Sequence, residues 1–78
     1  MPIVLREKGY RFGFYAGDRG EPAHIHVEKG GAKAKYWLDP IALATTRGFR
    51  PHELNEIEKI TASHGELLLE AWRAFFNA

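Results

Sequence analysis

A chain of 78 residues with a formal net charge of +1 has room for one domain, 1–78, and a small core. With no cysteine it has no disulfide and no thiolate metal site, and a reducing cytoplasm is the expected setting. No apolar run approaches membrane-spanning length, the start is too short in apolar length for a signal peptide, and the small net charge argues neither for nor against nucleic acid.

Ile3-Val4-Leu5-Arg6 reads as a first strand and Lys8-Gly9 as a turn. Tyr10-Arg11-Phe12-Gly13-Phe14-Tyr15 reads as the second strand, with Tyr10, Phe12 and Phe14 on one face. A simple hairpin sets Leu5 against Phe12 and Ile3 against Phe14, but also Arg6 against Arg11. That like-charge pair is unfavourable and predicts a bulge or a longer loop near the turn. Gly13 inside the strand predicts a bend or a neighbour packed closely on it. Gly17-Asp18-Arg19-Gly20-Glu21-Pro22 is a polar loop.

The loop delivers the chain into Ala23-His24-Ile25-His26-Val27-Glu28-Lys29, where residues able to do chemistry recur at a spacing of two. Alternation puts His24, His26 and Glu28 on one face and Ala23, Ile25 and Val27 on the other. Gly30-Gly31 tolerates a tight hairpin turn, and Ala32-Lys33-Ala34-Lys35-Tyr36-Trp37-Leu38 returns. The hairpin pairs Glu28 with Lys33, His26 with Lys35 and His24 with Trp37. On the other face it pairs Val27 with Ala34, Ile25 with Tyr36 and Ala23 with Leu38. A slip of one residue would mix the two faces, so the register is well specified.

Asp39-Pro40 interrupts the fourth strand, and residues 41–46 read as a bent extension of the sheet or a short helix. Pro51 suits a first helical position, although Arg50 before it has no side-chain oxygen to cap the helix. Leu54, Ile57, Ile60 or Thr61, His64, Leu68, Trp72 and Phe75 make one stripe at helical spacing. The stripe runs through Gly65, so one long helix, kinked near residues 63–65, is favoured over two short ones. The expected fold is α+β: an antiparallel meander of four to five strands over residues 2–46, with the helical part, 50–77, packed on one face.

The opposite face carries His24, His26, Glu28, Lys33, Lys35, Trp37, Arg11 and Tyr15, and three readings compete for it. In the first, it docks a protein, with His24, His26 and Trp37 as anchors. In the second, His24 and His26 act as general base and acid on RNA, Lys35 steadies the phosphate, Arg11 adds a cation, and Tyr15 or Trp37 stacks a base. In the third, His24 and His26, about 6.6 Å apart along the strand, converge on a divalent ion such as zinc, with Glu28 or Asp39 as third ligand. An ordinary wet sheet face accounts for the same residues. His52 is expected to be exposed and His64 to belong to the core. Trp72, Phe75 and Phe76 are expected in the core or at a homodimer seam. The acidic residues Glu53, Glu56 and Glu58 argue against a DNA-reading helix.

Pro22-Ala23-His24-Ile25-His26-Val27-Glu28-Lys29-Gly30 resembles the signature of a bacterial family of small proteins, domain-of-unknown-function family 4160. Ala34-Lys35-Tyr36-Trp37-Leu38-Asp39-Pro40, Arg47-Gly48-Phe49 and Leu68-Leu69-Glu70-Ala71-Trp72 carry the resemblance further. The chain departs from the pattern at Arg50 and Gly65. The resemblance implies no established activity. It does imply one half of a toxin–antitoxin-like gene pair, often beside a protein of domain-of-unknown-function family 2442. The combined expectation is a cytoplasmic protein-binding component without a cofactor. A metal-independent ribonuclease toxin and a metal-binding protein are the alternatives, and whether the chain is an enzyme stays open.

Overall fold

The computed structural model describes residues 1–77, so the last residue of the expected 1–78 domain lies outside the described residues. Five strands come first: β1 (Ile3–Glu7), β2 (Tyr10–Gly13), β3 (His24–Lys29), β4 (Ala32–Leu38) and β5 (Ile41–Arg47). They form one antiparallel sheet in the order β1-β2-β3-β4-β5. Helices α1 (Pro51–Ser63) and α2 (Gly65–Phe76) follow. The fold is the α+β meander that the alternation predicts. No helix among the described residues is long and apolar enough to cross a membrane.

The β3–β4 hairpin has the predicted register throughout, from Glu28 opposite Lys33 to His24 opposite Trp37. The Leu38 amide donates to the Ala23 carbonyl at 3.0 Å, which extends the pairing by one step. Its inner face is dry: Ile25, Val27, Ala34, Tyr36 and Leu38 are all buried. Burial of each large apolar side chain contributes about 1.5–3 kcal/mol, against at most about 1 kcal/mol for the Glu28–Lys33 pair. The apolar face therefore sets the register.

The first hairpin differs from expectation at one point. Leu5 opposes Phe12 and Arg6 opposes Arg11, but the irregularity lies between Ile3 and Leu5, away from the turn, so Ile3 meets Gly13 and not Phe14. The turn closes in register because Lys8 and Gly9 both take positive φ, 52° and 83°. The Arg11 guanidinium reaches Glu28 on β3 at 3.9 Å, which offsets the Arg6–Arg11 repulsion. Gly13 is packed closely, as expected: a Cβ there would collide with the Pro2 carbonyl.

Residues 41–47 extend the sheet as a fifth strand and are not a helix. The chain reverses at Asp39-Pro40, whose peptide bond is cis, and β5 pairs back along β4, with Leu38 opposite Ile41 and Lys33 opposite Arg47. The β-branched Ile41, Thr45 and Thr46 suit a pleated strand, and pairing satisfies backbone groups that an unpaired segment would leave open.

Of the two helical readings the structure has the split one, at the place expected near Gly65. His64, at φ −114° and ψ 20°, separates α1 from α2. Its amide and its ring Nδ1 both donate to the Ile60 carbonyl, at 3.2 and 2.9 Å, and Gly65 beside it has little preference for helical backbone. The break lets both stripes reach the sheet: Ile57, Ile60 and Thr61 of α1 and Leu68 of α2 are buried. Two tyrosines fasten α1. Tyr10 donates to Glu56 Oε1 at 2.8 Å, and Tyr36 donates to the Leu54 carbonyl at 3.1 Å. At the start of α1 the Glu53 carboxylate accepts the Arg50 amide at 2.8 Å, which replaces the missing side-chain cap. Trp72, Phe75 and Phe76 of α2 pack around Phe14, with ring centroids at 5.4, 5.7 and 6.4 Å.

Candidate functional site

A short 3-10 turn, Ala16–Asp18, brings the loop back over the start of β3. It carries Asp18 to both histidines: Oδ2 lies 2.9 Å from His24 Nε2 and 2.6 Å from His26 Nε2. His24 Nδ1 lies 2.8 Å from the Pro22 carbonyl oxygen. Pro22 has no amide of its own to pair, and its position just before β3 aims this carbonyl at the ring two residues on.

The two imidazoles differ in environment. His24 has no exposed surface. Its ring is walled by Trp72 at 4.8 Å, His26 at 5.0 Å and Trp37 at 5.6 Å. The His26 side chain keeps 19% exposure, with Tyr15 edge-on at 4.5 Å. Burial pushes His26 below the ordinary histidine range, and this outweighs the pull of Asp18 in the other direction. Burial opposes ionisation of Asp18, yet hydrogen bonds to His24 and His26 hold its carboxyl below the usual range. An ionised Asp18 beside a neutral His26 satisfies both directions.

Beyond His26 the polar face is concave. Tyr15, His26, Glu28, Lys33, Lys35, Thr45, Thr46 and Arg47 line a hollow of about 340 Å³. Its side chains are held in place. The Tyr15 hydroxyl donates to Glu28 Oε2 at 2.6 Å, and this bond, with burial, raises the tyrosine pKa. Lys35 donates to Glu21 Oε1 at 2.6 Å and sits 4.7 Å over the Trp37 ring. Lys33 and Arg47 form no ion pair among the described residues, although they face each other directly across β4 and β5.

The structure thus brings together most of the side chains that alternation had placed on this face. Tyr15, His26, Glu28, Lys33 and Lys35 share the hollow, and Arg11 joins through Glu28. His24 and Trp37 do not line it. The carboxylate beside the imidazoles is Asp18, not Glu28 or Asp39. Glu28 is engaged by Tyr15, and Asp39 lies exposed in the turn after β4. The sequence signal for Asp18 was a lone carboxylate in a glycine-punctuated loop, too common a feature to single out. Arg47, Thr45 and Thr46 were missed because the reading of residues 41–46 as sheet or short helix gave no register against β4. His52 is exposed, as expected. His64 is half-buried, and its ring serves the helix break.

A family model described as a domain of unknown function, DUF4160, matches residues 9–73. The chain belongs to the DUF4160 family. It matches no curated protein and no solved structure. The stretch shared with DUF4160 takes in Asp18, both histidines, the whole hollow and Trp72, and it leaves out β1. The family's description names no activity, so a function for this DUF4160 chain has to be argued from its own geometry.

Proposed function

We propose that the chain is the protein-binding component of a toxin–antitoxin-like pair, and that an acidic segment of its partner seats in the hollow on the polar sheet face. The observation that carries this reading is the Lys33–Arg47 pair. Two cations stand directly opposite each other on neighbouring strands and form no ion pair among the described residues; Glu28, on the far side of Lys33, is already engaged by Tyr15 and Arg11. Such a pair costs stability in the free chain and is relieved when an anion binds between them. The setting of the hollow favours a protein over a nucleic acid. Glu28 lies inside it and would repel a phosphate backbone, whereas a polypeptide can offer both an acidic side chain and donors for Glu28. Tyr15, fixed by Glu28 and His26, supplies the rigid aromatic surface common at interface centres.

RNA cleavage by His24 and His26 is the weaker alternative. A general acid or base must come within hydrogen-bond reach of the proton it moves, and His24 is sealed behind Trp37, Trp72 and His26.

The reading is tested by co-expression with a family 2442 protein in the cytoplasm. The two should co-purify in equal amounts at low salt, and Lys33→Glu with Arg47→Glu should release the partner while the variant stays folded. Partner binding that survives both substitutions would remove the hollow as the docking site.

A further inference from the structure

His24 presents a lone-pair conflict. Its Nδ1 lies 2.8 Å from the Pro22 carbonyl oxygen. A carbonyl only accepts, so Nδ1 carries the proton and donates. In a neutral imidazole the other nitrogen is then an acceptor. That nitrogen, Nε2, lies 2.9 Å from Asp18 Oδ2, and an ionised carboxylate also only accepts. Two lone pairs therefore face each other beside a ring with no exposed surface. A positive charge has to lie between them. The same Asp18 oxygen lies 2.6 Å from His26 Nε2, so a third donor atom is at hand. One ligand atom from each of the three side chains falls within 4.8 Å of the others.

We propose that Asp18 Oδ2, His24 Nε2 and His26 Nε2 are the ligands of a late first-row divalent metal ion, zinc being the first to test. Two imidazole nitrogens and one carboxylate oxygen suit this class of ion. Zinc sits about 2.0–2.2 Å from such atoms, so its binding draws the two ring nitrogens together by roughly 1–1.5 Å while Asp18 moves outward by about half an ångström. The surroundings are those of a metal ligand. The second nitrogen of His24 is fixed by a backbone carbonyl, which sets the tautomer and aims Nε2 at the ion. Trp37 and Trp72 form an apolar wall on the His24 side. The open side is that of Asp18 and His26, whose side chains keep 18% and 19% exposure, and the fourth position there is left to water or a partner's donor. The ion would tie three parts of the fold together: the loop before β3, the start of β3, and, through Trp72 against His24, helix α2.

The test is zinc chloride titrated into protein first stripped with a chelator, followed by calorimetry, metal analysis and thermal melting. The site predicts one zinc per chain and a melting temperature raised by about 10 °C or more at hundredfold excess over the dissociation constant. Asp18→Asn and His26→Gln should each weaken binding by more than about tenfold, and His52→Ala should leave it unchanged. Ring-proton spectra of the wild-type chain locate the ion independently of any variant: signals of His24 and His26 should shift, and those of His52 and His64 should not. No uptake by folded wild type would overturn the proposal and leave a proton in the gap, with His24 an imidazolium against Asp18. Uptake that shifts His52 or His64 instead would overturn it equally.

Discussion

Asp18 in the loop and His24 at the start of β3 meet at 2.9 Å, although six positions separate them in the chain. This contact helps pin the loop against the polar face, together with His26 on Asp18 and Lys35 on Glu21. Asp18→Ala would leave the buried His24 Nε2 without a partner. The expected loss is about 1–3 kcal/mol, read from urea denaturation in the presence of a chelator. A loss below about 0.5 kcal/mol, the range of ordinary surface changes, would show that the contact holds nothing.

Burial and the Glu56 hydrogen bond push the Tyr10 hydroxyl from 10.0 up to about 12. Between those values the unfolded chain gives up the proton first, so stability falls as pH rises. The contribution is fully present below pH 10 and is lost as pH climbs through about 12. Tyr10→Phe should cost about 1 kcal/mol at neutral pH and flatten the alkaline decline. Tyr15 and Tyr36 are raised in the same direction, so the decline should shrink without vanishing. Denaturation midpoints taken between pH 8 and 11 settle the slope; an unchanged slope in the variant would count against the account of Tyr10.

Trp72 touches Phe14 on one side and His24 on the other, and so joins the core to the candidate site. Trp72→Ala should lower stability by about 3 kcal/mol, the low end for a large aromatic because the ring is only partly buried. Leu67→Ala, at a position 49% exposed on the same helix, should stay within about 0.5 kcal/mol. Equal losses at the two positions would contradict the packing described for α2.

Binding and stability should pull apart at Arg47. Because it faces Lys33 and forms no ion pair among the described residues, Arg47→Glu would turn a repulsive cross-strand pair into an attractive one. The free chain should become more stable by roughly 0.2–1 kcal/mol, while partner affinity falls. A loss of stability on this change would mean that Arg47 has a structural role the hollow does not explain.

Much of this fold can be read directly from residue patterns. Gly30-Gly31 between two alternating runs fixes the central hairpin and both of its faces, and with them the positions of His26, Glu28, Lys33 and Lys35. What could not be read depends on contacts that no periodicity in the sequence marks. Asp18 reaches the histidines only once the 3-10 turn has folded, and a lone loop carboxylate carries no periodicity. Arg47 faces Lys33 only because the chain reverses at Asp39-Pro40, where the proline looked like an interruption. His24 alternates with the polar residues and yet is buried, because Trp72 arrives from the far end of the sequence to cover it.

The most direct measurement of the central claim is an affinity capture from a lysate of the protein's own cells, wild type beside the Lys33→Glu/Arg47→Glu variant, with protein and RNA read from the same eluate. The account predicts one stoichiometric acidic protein on the wild type, displaced by salt and absent from the variant. RNA on the wild type in place of a protein, or the same protein on both, would contradict it.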